Sequence, residues 1–213
     1  MEKIKRTKII CYGDSNTYGF RPTDGGRYSK SIRWAGVLAD LLGDKYFVIE
    51  EGCNNRTGFF KCADGFIQSG KEYFQTCINN NSDLDILILA LGTNDIQKFY
   101  NPTEQIIEEG LSFYIDFIKE LNKNIKIILI PPVKLSENIL DGYFAFQFDK
   151  TSIERSEWVQ NVYSKFANNN NVELFDINKY VTPSNTDGLH FEPVSHQIIA
   201  QNLAKIILNN INI

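Results

Sequence analysis

Asp85–Leu91 (DILILAL) and Ile125–Ile130 (IKIILI) are almost continuously apolar, the pattern of strands covered on both faces. Lys8–Tyr12 and Tyr46–Glu51 are shorter apolar or β-branched runs, and Val172–Phe175 is a weaker fifth. Between these runs apolar positions recur at helical spacing over Ser31–Leu42, about Ser69–Asn80, Thr103–Leu121, Thr151–Asn169 and Pro193–Leu208. Asn101-Pro102-Thr103 before Glu104 marks a helix start, and Thr151 stands three residues before Glu154, the spacing of a capping box. Five strands alternating with five helices predict an α/β fold: a parallel sheet with helices on both faces and right-handed crossovers. No composition shift, repeat or low-complexity tract divides the chain, so residues 1–213 read as one domain.

Composition narrows the class without choosing a function. Hydrophobic residues make up 43% and charged residues 23%, ordinary for a globular protein. A net charge of -4 disfavours a nucleic-acid surface, which is normally basic. Lys3, Lys5, Arg6 and Lys8 read as a solvated start to the first strand. The apolar run that follows, Ile9–Tyr12, is too short for a signal-peptide core, and no run reaches the roughly 20 residues of a membrane span. Cys11, Cys53, Cys62 and Cys77 lack C-x-x-C spacing and are expected to be free thiols in a cytoplasmic protein.

Chemistry concentrates in three short segments. Gly13-Asp14-Ser15-Asn16 follows the first strand, Leu91-Gly92-Thr93-Asn94-Asp95 follows the third, and Asp187-Gly188-Leu189-His190 lies near the end. They supply a hydroxyl, a side-chain amide, and a carboxylate three residues before an imidazole. Acyl transfer needs such a set: a nucleophile, a base, a carboxylate to orient the base, and donors for the oxyanion. Open α/β sheets build sites at strand C-termini, where the first two segments fall. Taken singly, Ser15 suits a turn and helix cap, Asn94-Asp95 a loop, and His190 a satisfied loop histidine. Asp14 and Asp95 are expected to shape their own loops, and His196 to lie at the surface. Only the joint occurrence favours catalysis.

The chain resembles the GDSL-like, or SGNH, serine hydrolases. The resemblance rests on Ile10-Cys11-Tyr12-Gly13-Asp14-Ser15-Asn16-Thr17-Tyr18-Gly19, Glu50-Glu51-Gly52-Cys53-Asn54-Asn55-Arg56-Thr57, Leu91–Asp95 and Asp187-Gly188-Leu189-His190-Phe191. With Arg33-Trp34-Ala35-Gly36-Val37-Leu38, these look most like a bacterial branch of arylesterases and acyltransferases. The resemblance implies a flavodoxin-like three-layer α/β/α sandwich with a five-stranded parallel sheet. It implies Ser15 as nucleophile, His190 as base and Asp187 as its partner. The oxyanion donors would be the Ser15 and Asn55 main-chain N–H groups and the Asn94 side chain. Asn55 stands where the family commonly has glycine or another small residue; its contribution is expected from the main chain alone.

The implied activity is hydrolysis of short-acyl esters, with acyl transfer where an alcohol outcompetes water. Carbohydrate O-acetylesterase, lysophospholipase or thioesterase activity are the alternatives, and a non-catalytic binding module on the same fold is the contrasting class. Asn16 and the aromatic residues Phe144, Phe146 and Phe148 are the expected substrate contacts. The aromatic segment reads equally well as core packing or an interface between copies of the chain. The expected partner is a small ester, with no nucleic acid and no membrane. No cofactor or metal is expected: H-E-x-x-H, zinc spacing and both glycine-rich phosphate motifs are missing from the sequence. Ser15 sits in G-x-S-x-T, not the G-x-S-x-G of the nucleophile elbow.

Overall fold

Successive side chains of the first strand enter two different cores, and this alternation sets the layering. A computed structural model describes residues 5–62, 65, 69–121 and 124–210. The strands are β1 (Thr7–Gly13), β2 (Tyr46–Gly52), β3 (Ile86–Ala90), β4 (Lys126–Leu129) and β5 (Glu173–Leu174). The helices are α1 (Ser15–Tyr18), α2 (Trp34–Leu42), α3 (Gly70–Asn79), α4 (Glu104–Glu120), α5 (Lys150–Asn170) and α6 (Pro193–Asn210). Ile9 and Cys11 of β1, with Ile86, Ile88 and Ile128, pack against α2 and α6. Ile10 and Tyr12, with Leu87, Leu89 and Leu129, pack against α3, α4 and α5. The period of two along each strand therefore produces a three-layer sandwich.

The sheet is parallel throughout, in the order β2-β1-β3-β4-β5. The chain passes from β1 to β2 on one side, then returns to place β3 on the other. This switch opens a crevice beyond the C-terminal ends of β1 and β3. Gly13 pairs with Gly52 on one side and Ala90 on the other, so three strands end level. Gly52 permits a close approach: a Cβ there would lie 2.2 Å from the Tyr18 backbone nitrogen. The one-turn helix α1 thus rests on the end of β2.

Several element boundaries differ from the sequence expectation for local reasons. Ser69 caps α3 in a capping box with Glu72, and Thr103 caps α4 through the Ile106 N–H. The cap of α5 is Asp149, reciprocated by Ser152, and not Thr151 with Glu154. Thr151 instead donates its hydroxyl to the Asp149 carboxylate at 2.6 Å. Helix α2 begins at Trp34, not Ser31, because Ile32 and Arg33 bond back to Ser29 in a turn. α1 carries no periodicity in its single turn and is signalled only by the cap chemistry of the segment, with Asp14 and not Ser15 as the cap. Cys11, Cys53, Cys62 and Cys77 are free thiols. Among the described residues no helix is long and apolar enough to cross a membrane.

His196 is buried, which corrects its expected surface position. Its Nδ1 accepts the Trp34 backbone N–H at 3.2 Å, supplying the cap that α2 lacks from Arg33. Its ring meets Tyr28 and Phe191 edge-on. Burial, reinforced by the His190 charge, pushes the His196 pKa from 6.5 down to about 3. Between those values the unfolded chain binds the extra proton. Stability from this group is therefore complete above 6.5 and is lost as pH falls toward 3. In His196→Asn, whose side-chain oxygen can still accept from Trp34, the acid-side fall in stability should be shallower by up to about 1.4 kcal/mol per pH unit. Urea unfolding at several pH values measures this; equal slopes in the two proteins would contradict it.

Candidate active site

Ser15 opens α1 immediately beyond β1. Asp14 caps the turn, its Oδ1 accepting the Asn16 N–H at 2.9 Å. Burial raises the Asp14 pKa, while bonds from Asn16 and Thr93 and the His190 and Arg56 charges work against the rise. Asn16 is itself buried, and its amide donates to the Leu189 carbonyl at 3.3 Å. It ties the serine turn to the histidine loop.

The histidine loop is shaped by its own carboxylate. Asp187 Oδ1 accepts from the Leu189 and His190 backbone N–H groups at 3.0 and 2.9 Å. Gly188 between them has a φ of 70°, and a Cβ there would strike the Ile139 nitrogen at 2.6 Å. The turn therefore needs glycine on both counts. Asp187 Oδ2 lies 2.7 Å from His190 Nδ1, and His190 Nε2 lies 2.9 Å from Ser15 Oγ. Burial pushes the Asp187 carboxyl up, but bonds and charge from His190, with the two backbone N–H groups, outweigh it and hold the pKa below its ordinary value. An ionised Asp187 makes Nδ1 the protonated nitrogen. The Nε2 lone pair then faces the serine hydroxyl, the arrangement a general base requires.

Asn94 opens a short turn beyond β3, and Asn55 lies three residues beyond β2. The Asn94 amide donates to the Arg56 carbonyl at 3.0 Å, and its oxygen accepts from Gln97 Nε2 at 3.0 Å. Asn55 takes the left-handed conformation, φ 58°, which asparagine tolerates better than most residues. Its side chain is engaged as well. Asn55 Oδ1 accepts from Gln97 at 3.1 Å and from Gln147 at 3.4 Å.

Residues 11–198 match the GDSL-like lipase/acylhydrolase family. The chain belongs to that family. It is similar in structure to an aryl esterase of M. smegmatis, at 27% identity over 96% of this chain and 100% of that one, with a TM-score of 0.87. It is also similar to Est24, a carbohydrate acetylesterase from Sinorhizobium meliloti, at 24% identity over 97% and 100% of the two chains, with a TM-score of 0.89. No curated protein matches the sequence.

In this GDSL-like hydrolase a cleft of about 550 Å³ opens beside Asp187, walled by Phe20, Pro22, Tyr143 and Phe144. Phe20 stacks on the His190 ring at 4.2 Å, and Phe144 approaches it at 5.2 Å. The other expected aromatics lie elsewhere. Phe146 is exposed against Tyr143, and Phe148 is buried with Ile96, Leu135, Ile139 and Leu189. The segment forms a tight turn over Tyr143–Phe146, so its aromatics point in different directions. A larger cleft, about 620 Å³, lies near the N-terminal ends of β3 and β4, at the end of the sheet away from Ser15 and Asn94. Phe20, Gln97 and Gln147 were not anticipated; of these only Phe20, just past the serine turn, carried a signal by its position.

Asp95 shapes a loop other than its own. Fully buried, it accepts the N–H groups of Gly58, Phe59 and Phe60 at 2.6, 2.7 and 3.0 Å, fixing the loop that carries Asn55 and Arg56. Burial lifts its pKa to about 6, against those three bonds and with help from the Asp14 charge. A carboxyl pKa raised on folding means that this group's stabilisation falls as pH rises through about 4 to 6. Asp95→Asn turns an N–H toward these backbone donors and should cost about 1–3 kcal/mol. Thermal unfolding with an ester assay checks this: both stability and turnover should drop, and an unchanged protein would contradict the assigned support.

Proposed function

We propose that this chain is a serine esterase that cleaves small carboxylic esters through an acyl-enzyme on Ser15. The observation that carries the reading is the unbroken Asp187–His190–Ser15 hydrogen-bond chain, with Asn94 on the turn beyond β3, the strand next to β1. Ser15 Oγ attacks the ester carbonyl carbon as its proton passes to His190 Nε2. The carbonyl π electrons move to oxygen, and the oxyanion is received by the Asn94 amide with the Ser15 and Asn55 main-chain N–H groups. Collapse expels the alcohol, which takes the proton from His190. Water then attacks the acyl-enzyme with His190 again as base, releasing the acid and restoring Ser15.

The position of the base supports an assignment of the two ends of the substrate. The leaving alcohol receives its proton from His190, so it must lie against the His190 ring. Phe20 and Phe144 line that place, which favours aryl or other flat apolar alcohols. The resemblance to the M. smegmatis aryl esterase points the same way. On the opposite side Asn55, Gln97 and Gln147 occupy space next to Asn94, which favours short acyl groups. An alcohol that fills the aromatic cleft competes with water for the acyl-enzyme, giving acyl transfer.

Ser15→Ala and His190→Ala should each lower turnover of p-nitrophenyl acetate by several orders of magnitude, because the members of such a set act as a unit. Asn94→Ala should cost about 10²–10³ in kcat, the usual loss of one oxyanion donor. Near-normal turnover in Ser15→Ala would move the nucleophile elsewhere. Across acyl lengths from acetyl to decanoyl, kcat/KM should peak between acetyl and butyryl; a steady rise with length, at about 0.8 kcal/mol per methylene, would mean an open acyl groove. Phe144→Ala should weaken phenyl acetate more than ethyl acetate, and equal losses would remove the aromatic wall from the alcohol site.

A further inference from the structure

Gln97 is 3% exposed and lies at the end of the turn that begins with Asn94. Its main chain is pinned: its carbonyl accepts from Arg155 Nη1 at 2.8 Å and from the Tyr100 N–H at 3.1 Å. Its side-chain nitrogen reaches two other amides, Asn94 Oδ1 at 3.0 Å and Asn55 Oδ1 at 3.1 Å. These are the two residues, besides Ser15, assigned to the oxyanion.

The orientation of all three amides follows from one backbone carbonyl. The Arg56 carbonyl can only accept, so the Asn94 atom facing it at 3.0 Å must be Nδ2. Asn94 therefore presents Oδ1 to Gln97, Gln97 must answer with Nε2, and the second N–H of that nitrogen requires an acceptor, which Asn55 Oδ1 supplies. An amide nitrogen carries two N–H groups; the Arg56 carbonyl takes one from Asn94, and the other remains for a developing oxyanion. A rotation of the Asn94 amide by half a turn would replace that donor with an oxygen lone pair.

We propose that Gln97 is a positioning residue that holds the Asn94 amide with its N–H toward the reacting carbonyl and ties Asn55 to the same node. It does not reach the reacting carbonyl; it acts through Asn94, and so rests on the reading of Asn94 as an oxyanion donor. The role needs a donor at this position. A glutamate, close in shape but accepting only when ionised, inverts the demand on Asn94. When protonated it regains one donor.

Steady-state kinetics on p-nitrophenyl acetate from pH 5 to 9 test this with Gln97→Glu, Gln97→Met and Asn94→Ala beside the unaltered protein, each checked by circular dichroism. At pH 8 Gln97→Glu should lose about 100-fold in kcat with KM little changed, the signature of an interaction made in the transition state. Its deficit relative to the unaltered protein should shrink as pH falls and the glutamate takes up a proton. Gln97→Met should lose kcat by a factor that does not change with pH. Should Gln97→Glu fail to fold, Gln97→Met carries the test through its kcat loss at constant KM. A folded Gln97→Met with unaltered kcat, or a Gln97→Glu deficit flat with pH, overturns the positioning role while leaving Asn94→Ala impaired. Full activity in Asn94→Ala would instead overturn the donor reading, and the positioning role with it.

Discussion

Gly52, Gly13 and Ala90 stand side by side where three parallel strands end, and the geometry of the site descends from that register. Ser15 is two residues beyond Gly13, Asn55 three beyond Gly52, and Asn94 four beyond Ala90. Short connections leave little freedom, so the strand ends place the hydroxyl and both amide residues within one crevice. The crowding at Gly52 makes the constraint visible: the backbone of α1 lies where any side chain would be. A one-residue slip of β1 against its neighbours would send Ile9 and Ile10 to the wrong cores and carry Ser15 away from His190.

Beyond the strand ends, buried polar groups do the work that packing does elsewhere. Asp187 closes the turn before His190 and Asp95 closes the loop after Asn55, each through consecutive backbone N–H groups. They diverge in charge preference. His190 keeps Asp187 below the ordinary carboxylate range, while burial, helped by the Asp14 charge, lifts Asp95 to about 6 against its three backbone N–H bonds. One carboxylate is thereby kept ionised to orient an imidazole, and the other acts as a brace. Arg56 adds a buried cation at the end of β1, its guanidinium over the Tyr12 ring and donating to the Gly13 carbonyl.

The fold was legible because its signals are periodic. Isoleucine- and leucine-rich strands and five amphipathic helices repeat often enough for errors at single ends, such as Ser31 or Thr151, to leave the architecture intact. Ser15, Asn94, Asp187 and His190 were legible as residue types in three short segments; the structure joins Asp187, His190 and Ser15 in one hydrogen-bonded chain and carries Asn94 on the turn beyond β3. What was hidden depends on side-chain direction. Phe144 and Phe148 are four apart, yet Phe144 meets His190 while Phe148 is buried in the core on which Phe144 rests. His196 looked exposed because nothing local announced that Trp34, far away in sequence, would need an acceptor. Gln97 carries no pattern at all; its meaning is a hydrogen-bond node that exists only once three loops have met.

Trapping the covalent intermediate tests the central claim most directly. Mixing the protein with p-nitrophenyl butyrate, quenching in acid within the first turnovers and mapping peptides by mass spectrometry locates the acyl group. The account predicts a butyryl adduct on Ser15, with His190→Ala abolishing its formation. An adduct on another residue, or rapid ester turnover with no adduct at any time, would contradict it.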